Sequence, residues 1–183
     1  MKKIFSIAML LLLAIGGIQA QEAKDVERAE KKALQAKIDS ALHMEAYNAI
    51  KEKEFTLEAD QVVFKYGQTA YVTSNTNFVS VKGNDAVVQV AFNIPISGPN
   101  GLGGVTVDGM LSDYKVNEDK KGNVYVSMNV MGTGISARVD ITLFEGSHNA
   151  TVTISPNFNS NRLTLNGVIL PAYKSNVFQG RSL

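Results

Sequence analysis

Two hydrophobic rhythms divide the chain, and they meet at Phe55. Upstream, Leu34, Ile38, Ala41, Leu42, Ala46, Ala49 and Ile50 recur at the three- and four-residue spacing of one helical face. The surrounding residues 22–54 are dense in Ala, Lys, Glu, Leu and Gln and contain neither Gly nor Pro. Glu27 and Lys31 stand four apart with opposite charge, which suits a solvated helix face. The pattern predicts a helix over 21–54. A helix of about 30 residues would run about 45 Å, longer than a compact domain needs. Residues 22–33 carry few large apolar groups, so this part is expected to project or fray while residues 34–50 dock.

From Phe55 onward the period falls to two. Phe55, Leu57 and Ala59 alternate with Thr56, Glu58 and Asp60. Segments 77–82 and 86–92 flank the turn signal Gly83-Asn84-Asp85. Val105 to Val116 reads as a long strand, with Gly109 inside it marking a bulge or a close backbone approach. Alternation returns over 124–131, 135–144, 150–154 and 162–170, punctuated by Lys121-Gly122-Asn123, Gly132-Thr133-Gly134 and Gly146-Ser147. Turns this close together predict antiparallel neighbours, and no segment after Phe55 has the length of a crossover helix. The expected fold class is mainly β (α+β). It places an N-terminal helix before a curled antiparallel β-meander over 55–171, as a sandwich or a partly open barrel, with a C-terminal tail at 172–183.

The first twenty residues add a destination. Lys2-Lys3, the apolar run Ile4–Ile18 and the small residue Ala20 have the three-part build of a secretory signal over 1–20. The run is shorter than the roughly 20 apolar residues of a membrane span. A periplasmic or secreted protein is expected, with no membrane span once the signal is cleaved. The chain has no cysteine, which removes disulfides, thiolate metal sites, cysteine nucleophiles and the acylated residue of a lipoprotein. Lys and Arg total 18 against 17 Asp and Glu; the signal holds two of the lysines, leaving 16 against 17. That balance gives no electrostatic case for nucleic acid.

Candidate chemistry is sparse. Ser97-Gly98-Pro99-Asn100-Gly101-Leu102-Gly103-Gly104 lacks the following helix and Lys-Ser or Lys-Thr pair of a phosphate cradle, so it reads as a connection between strands at the rim of the sheet. Asp39 and His43 stand one helical turn apart, but two ligands make no site, and His43 is expected to face solvent; His148 falls in a turn, and neither histidine has a serine-plus-acid partner. Asp108 and Asp140 sit on polar strand faces, where carboxylates also keep a sheet soluble. Phe92, Ile94, Asn100, Leu102, Asp108 and Tyr114 are the candidate ligand-binding residues. No catalytic residue, cofactor or metal is expected.

The order of several short segments resembles a family of exported bacterial proteins, domain of unknown function 4251. They are Phe55-Thr56-Leu57 after the helix, Asn77-Phe78-Val79, Gly103-Gly104-Val105, Asp113-Tyr114, Lys121-Gly122 before Tyr125-Val126, Leu143-Phe144 before Gly146, and Asn161-Arg162 before Gly167-Val168-Ile169. The likeness spans most of 25–171. Phe92-Asn93-Ile94-Pro95-Ile96 departs from it, where a more aromatic segment is expected. The family implies export and domain limits, and no activity. The function expected is a non-enzymatic module that binds a small ligand or an envelope protein. The alternatives are an assembly partner acting through the helix and a carboxylate-dependent hydrolase.

Overall fold

The computed structural model describes residues 2–91, 104–157 and 162–182, with side chains from Lys24 onward. The chain divides into two units, Met1–Asp39 and Ser40–Leu183. The helix α1 spans Lys2–Glu52, so it begins well before the expected start at residue 21. Within the first unit it carries local pairs: Lys31 donates to Glu27 at 2.6 Å and Gln35 to Asp39 at 2.8 Å. Such exposed pairs contribute a few tenths of a kcal/mol each, on the order of 0.3.

Of the segment 34–50 expected to dock, the part from Ser40 lies in the second unit and packs there. Leu34 and Ile38 are 60% and 43% exposed, and full burial begins only at Ala46, Ala49 and Ile50. A helix rising about 1.5 Å per residue crosses the end of a small barrel in about ten residues. Ala46, Ala49 and Ile50 of its last turns find apolar partners in the barrel. The helix stops at Lys53, whose φ of 57° is the left-handed conformation of a helix terminus, and Lys53 N–H donates to Ile50 O at 3.1 Å.

Among the described residues nine strands follow: β1 (Glu54–Val63), β2 (Thr69–Tyr71), β3 (Phe78–Lys82), β4 (Asp85–Ala91), β5 (Gly104–Glu118), β6 (Val124–Gly132), β7 (Ser136–Leu143), β8 (Asn149–Pro156) and β9 (Leu163–Pro171). Each pairs antiparallel with its neighbours, and β9 returns to β1 from Phe55↔Pro171 to Val63↔Thr164. The sheet is therefore a closed barrel of eight strands, β1 and β3 to β9, rather than a sandwich or an open barrel. Closure satisfies the strand edges that an open sheet would leave exposed. The short β2 extends the edge of β1 beyond β3. Its three residues are too few to give a periodic signal in the sequence.

Two bulges let the long strands stay apolar inward along their whole length. In β1 the register slips between Ala59 and Gln61, so Phe55, Leu57 and Ala59 face inward and then Val62 does. Opposite that slip, a Cβ on Gly167 would lie 2.0 Å from Glu58 O, so only glycine fits. In β5 the slip falls between Ser112 and Lys115, and Asp113 has φ 52°. Val107 and Leu111 face inward before it, Tyr114 and Val116 after it. Of the two readings of Gly109, a bulge or a close backbone approach, the structure shows the close approach, with Met131 O 2.1 Å from where a Cβ would lie.

The outward positions of β1, β3, β4 and β5 depart from simple polar alternation. Thr56, Phe78, Ser80, Gln89 and Thr106 are buried although they point away from the barrel interior. The C-terminal segment covers them. After the 3-10 turn η1 (Ala172–Lys174), Ser175 donates to Glu58 at 2.7 Å, Phe178 N–H to Asn75 O at 2.7 Å, and Gly180 N–H to Gln89 at 2.7 Å. A hydrogen-bonded strap therefore lies along this face of the barrel, where the sequence suggested only a tail.

Candidate functional site

The two ends of the barrel differ, and side-chain size is the reason. Near the first residues of β1 the interior is filled by Phe55, Leu57, Val126, Met128, Ile141, Leu143 and Ile169, all at most 1% exposed. Ile50 and Ala46 of α1 join this cluster and stopper that end. Polar contacts ring the stopper. His43 Nδ1 lies 3.1 Å from Phe144 O and 2.9 Å from Ser147 O, in the β7–β8 turn. This histidine holds the helix to a turn, in place of the solvent-facing role expected of it. Tyr47 donates to Glu118 at 3.3 Å, and Gly83 N–H donates to Lys53 O at 2.8 Å.

The opposite half carries smaller side chains and is hollow. Val88 and Val90 of β4, Val105 and Val107 of β5, Ala137 of β7 and Ile154 of β8 wall a cavity of about 430 Å³. Ile135, Pro156, Leu163 and Phe64 complete the apolar lining, and Lys65, Tyr66 and Arg162 stand at the rim. A second recess of about 280 Å³ adjoins it, lined by Val63, Phe64, Lys65, Arg162 and Thr164. Phe64, Lys65 and Arg162 belong to both linings, while Val63 and Thr164 of the recess pair on the outward face of β1 and β9. Eight-stranded barrels are just wide enough either to fill with side chains or to hold one small ligand. This barrel does the first at the helix end and leaves room for the second at the other.

The sequence-derived candidates do not assemble into this site. Phe92, Ile94, Asn100 and Leu102 lie outside the described residues, as does the departing segment 92–96. Asp108 points outward from β5 and accepts a hydrogen bond from Gln179 at 2.7 Å. Tyr114 lies at the stoppered end, where its hydroxyl donates to Ile50 O at 2.6 Å. Burial pushes its phenol well above the ordinary range, and Lys53 Nζ stands 5.2 Å from the ring centre. Neither Asp108 nor Tyr114 lines the cavity. Asp140 also faces outward, and the hydrogen bond from Arg138 holds its carboxyl below the usual range. Among the described residues, no group of three or more His, Asp or Glu is placed to hold a metal ion.

The lining that matters was missed because each valine reads as ordinary core. One signal was available. At the hollow end the inward residues of β4, β5 and β7 include Val88, Val90, Val105, Val107 and Ala137. Phe64-Lys65 and Arg162-Leu163 each set a cation beside an inward apolar residue at the small-residue end.

Fold and site together define a small antiparallel β-barrel with one end stoppered by a helix and the other hollowed into an apolar cavity. The chain belongs to the family described as domain of unknown function DUF4251, whose model matches residues 37–169. It is similar to a DUF4251 family protein of known crystal structure from Bacteroides eggerthii DSM 20697. The two are 54% identical with a TM-score of 0.70, and the match covers 81% of this chain and 99% of that one. No curated protein matches. Among the described residues no helix is long and apolar enough to cross a membrane.

Proposed function

We propose that this protein is an exported, non-enzymatic binding protein that takes a small apolar molecule into the open half of its barrel. The observation that carries the reading is the cavity of about 430 Å³ walled by valine, isoleucine, leucine and alanine side chains. Its volume falls within the roughly 300–1,000 Å³ of ordinary ligand sites. An apolar occupant gains about 25 cal/mol per Å² of surface removed from water. Export rests on the secretory pattern of residues 1–20.

The test is titration of the purified protein with a neutral fluorescent probe such as N-phenyl-1-naphthylamine, beside an Ala137→Phe variant whose ring would fill the cavity. Saturable binding by the wild type and its loss in the variant are expected. If the wild type leaves the probe in water, the reading fails. Localisation is tested by fractionating cells and sequencing the N-terminus of the mature chain. Cytoplasmic protein that retains residues 1–20 would remove the export part.

A second reading, assembly through α1, is favoured by Val26, Leu34 and Ile38, which are 58%, 60% and 43% exposed. An amphipathic helix presents such positions to a partner's groove. Deleting residues 22–33 would abolish co-purification of that partner, and an unchanged pull-down would end this reading.

A further inference from the structure

We propose that the C-terminal strap braces the cavity from outside, and that Gln89 is the positioning residue through which strap docking and ligand binding are coupled. This concerns the regulation of the same site and rests on the binding reading.

The cavity and the strap lie on opposite faces of the same two strands. Between β4 and β5, Val88 pairs with Val107 and Val90 with Val105, and all four valines line the cavity. Gln89 and Thr106 are the pair between them. Successive strand residues point to opposite faces, so this pair stands on the outside of the valine wall. Both residues are 0% exposed. Thr106 Oγ1 donates to Gln89 Oε1 at 2.9 Å, which clips β4 to β5 directly behind the valines. The strap closes over the clip. Gly180 N–H donates to the same Gln89 oxygen at 2.7 Å, and Gln89 Nε2 donates to Phe178 O at 2.8 Å. Gln179, between them, donates to Asp108, the next outward residue of β5, at 2.7 Å. The second donation of Gln89, to Thr76 O at 3.0 Å, ties in the segment before β3.

One amide therefore joins the strap, both strands of the wall and the approach to β3. Spreading β4 from β5 would break these bonds in a dry setting, where unmet polar groups are costly. When residues 178–180 leave, Gln89 and Thr106 open to water and the valine wall loses its backing. A ligand packed on the four valines holds β4 and β5 in the register that the strap needs. Each event favours the other, and such coupling is reciprocal. The remaining anchors, Ser175 on Glu58 at 2.7 Å and Phe178 N–H on Asn75 O at 2.7 Å, attach the strap away from the valine pairs.

The experiment follows hydrogen exchange of the Gly180 N–H by NMR in the chain from Gln21 onward, with and without saturating N-phenyl-1-naphthylamine. Exchange about fivefold slower is expected in the loaded protein, a coupling of ordinary size. Linkage then requires a chain ending at Ser175 to bind the probe more weakly by the same factor, and Gln89→Ala to weaken it as well. The exchange measurement and Gln89→Ala decide the matter if the shortened chain does not fold. Tyr114→Phe loosens the stoppered end without touching the valine wall, and is expected to keep wild-type affinity for the probe. Probe binding with unchanged Gly180 exchange, or with unchanged affinity in Gln89→Ala, overturns the brace and leaves the apolar-ligand reading standing. An equal loss of affinity in Tyr114→Phe assigns the effect to general loss of stability and likewise overturns the brace. Failure of the wild type to bind the probe overturns both.

Discussion

Gln89 Nε2 donates to Phe178 O at 2.8 Å, across 89 positions of sequence. The same amide donates to Thr76 O at 3.0 Å, and its oxygen accepts from Thr106 at 2.9 Å and from Gly180 N–H at 2.7 Å. Gln89 is fully buried on the outer side of β4. A buried amide is stable only when its donors and acceptors are met, and here the C-terminal strap meets two of the four bonds.

Replacing Gln89 with Ala strands these partners. The expected loss of stability is about 1–3 kcal/mol, the usual cost of unsatisfied buried groups. Amide exchange at Phe178 and Gly180 should rise together, while exchange in β7 and β8 stays slow. Protection at Gly180 equal to wild type would show that the strap is held by other contacts.

Tyr114→Phe removes the hydroxyl that donates to Ile50 O while keeping the ring in place. A loss of about 1 kcal/mol is expected by urea melting. The titration carries a sign. The folded phenol is raised above its ordinary value of about 10, so its contribution is complete below that pH and is lost as pH climbs through the folded value. Ultraviolet titration of the folded protein should leave one of the six tyrosines un-ionised after the exposed ones have titrated. Titration of all six near pH 10 would contradict its burial.

Asp119 organises the β5–β6 turn. Its carboxylate accepts from Asn123 Nδ2 at 2.9 Å, from the N–H groups of Asn123 at 3.0 Å and Lys121 at 2.8 Å, and from Tyr125 Oη at 3.1 Å. The side-chain bond from Asn123, with the two N–H groups and Tyr125, lowers its pKa to about 2. A lowered carboxyl stabilises the fold above its unfolded pKa of about 4, and that contribution fades as pH falls to the folded value. Carboxyl chemical shifts should place its midpoint near 2, and Asp119→Ala should flatten the stability profile between pH 4 and about 2. A midpoint near 4 would remove the cage.

Burial on α1 becomes complete only at Ala46, Ala49 and Ile50. A chain beginning at Ser40 should therefore melt at the temperature of a chain beginning at Gln21. Ile50→Ala in the same chain should cost about 2–5 kcal/mol, because it opens a cavity in the stopper. A large drop in melting temperature on truncation alone would show that residues before Ser40 stabilise the barrel.

The strands were legible because a half-buried strand writes its face into every second residue. The runs from Val124 to Met131 and from Ile135 to Leu143 need no tertiary information. The helix was legible for the same reason, and Ala46, Ala49 and Ile50 of its apolar face are buried. Periodicity reports that a face is apolar and leaves open what reaches it. The site was hardly legible at all. Val88, Val107 and Ala137 look the same in sequence whether their neighbours fill the space between them or leave it empty.

By itself, then, the sequence determined the local matters: where strands run, which way their side chains alternate, and where turns reverse them. Those follow from backbone sterics and side-chain period, which act over a few residues. The closure of β9 on β1, the burial of Gln89 beneath the strap and the sharing of one cavity rim by Lys65 and Arg162 were decided only in three dimensions. Each joins residues 80 to 110 positions apart or more, roughly, and whether such segments meet depends on the sum of all packing between them rather than on any short pattern.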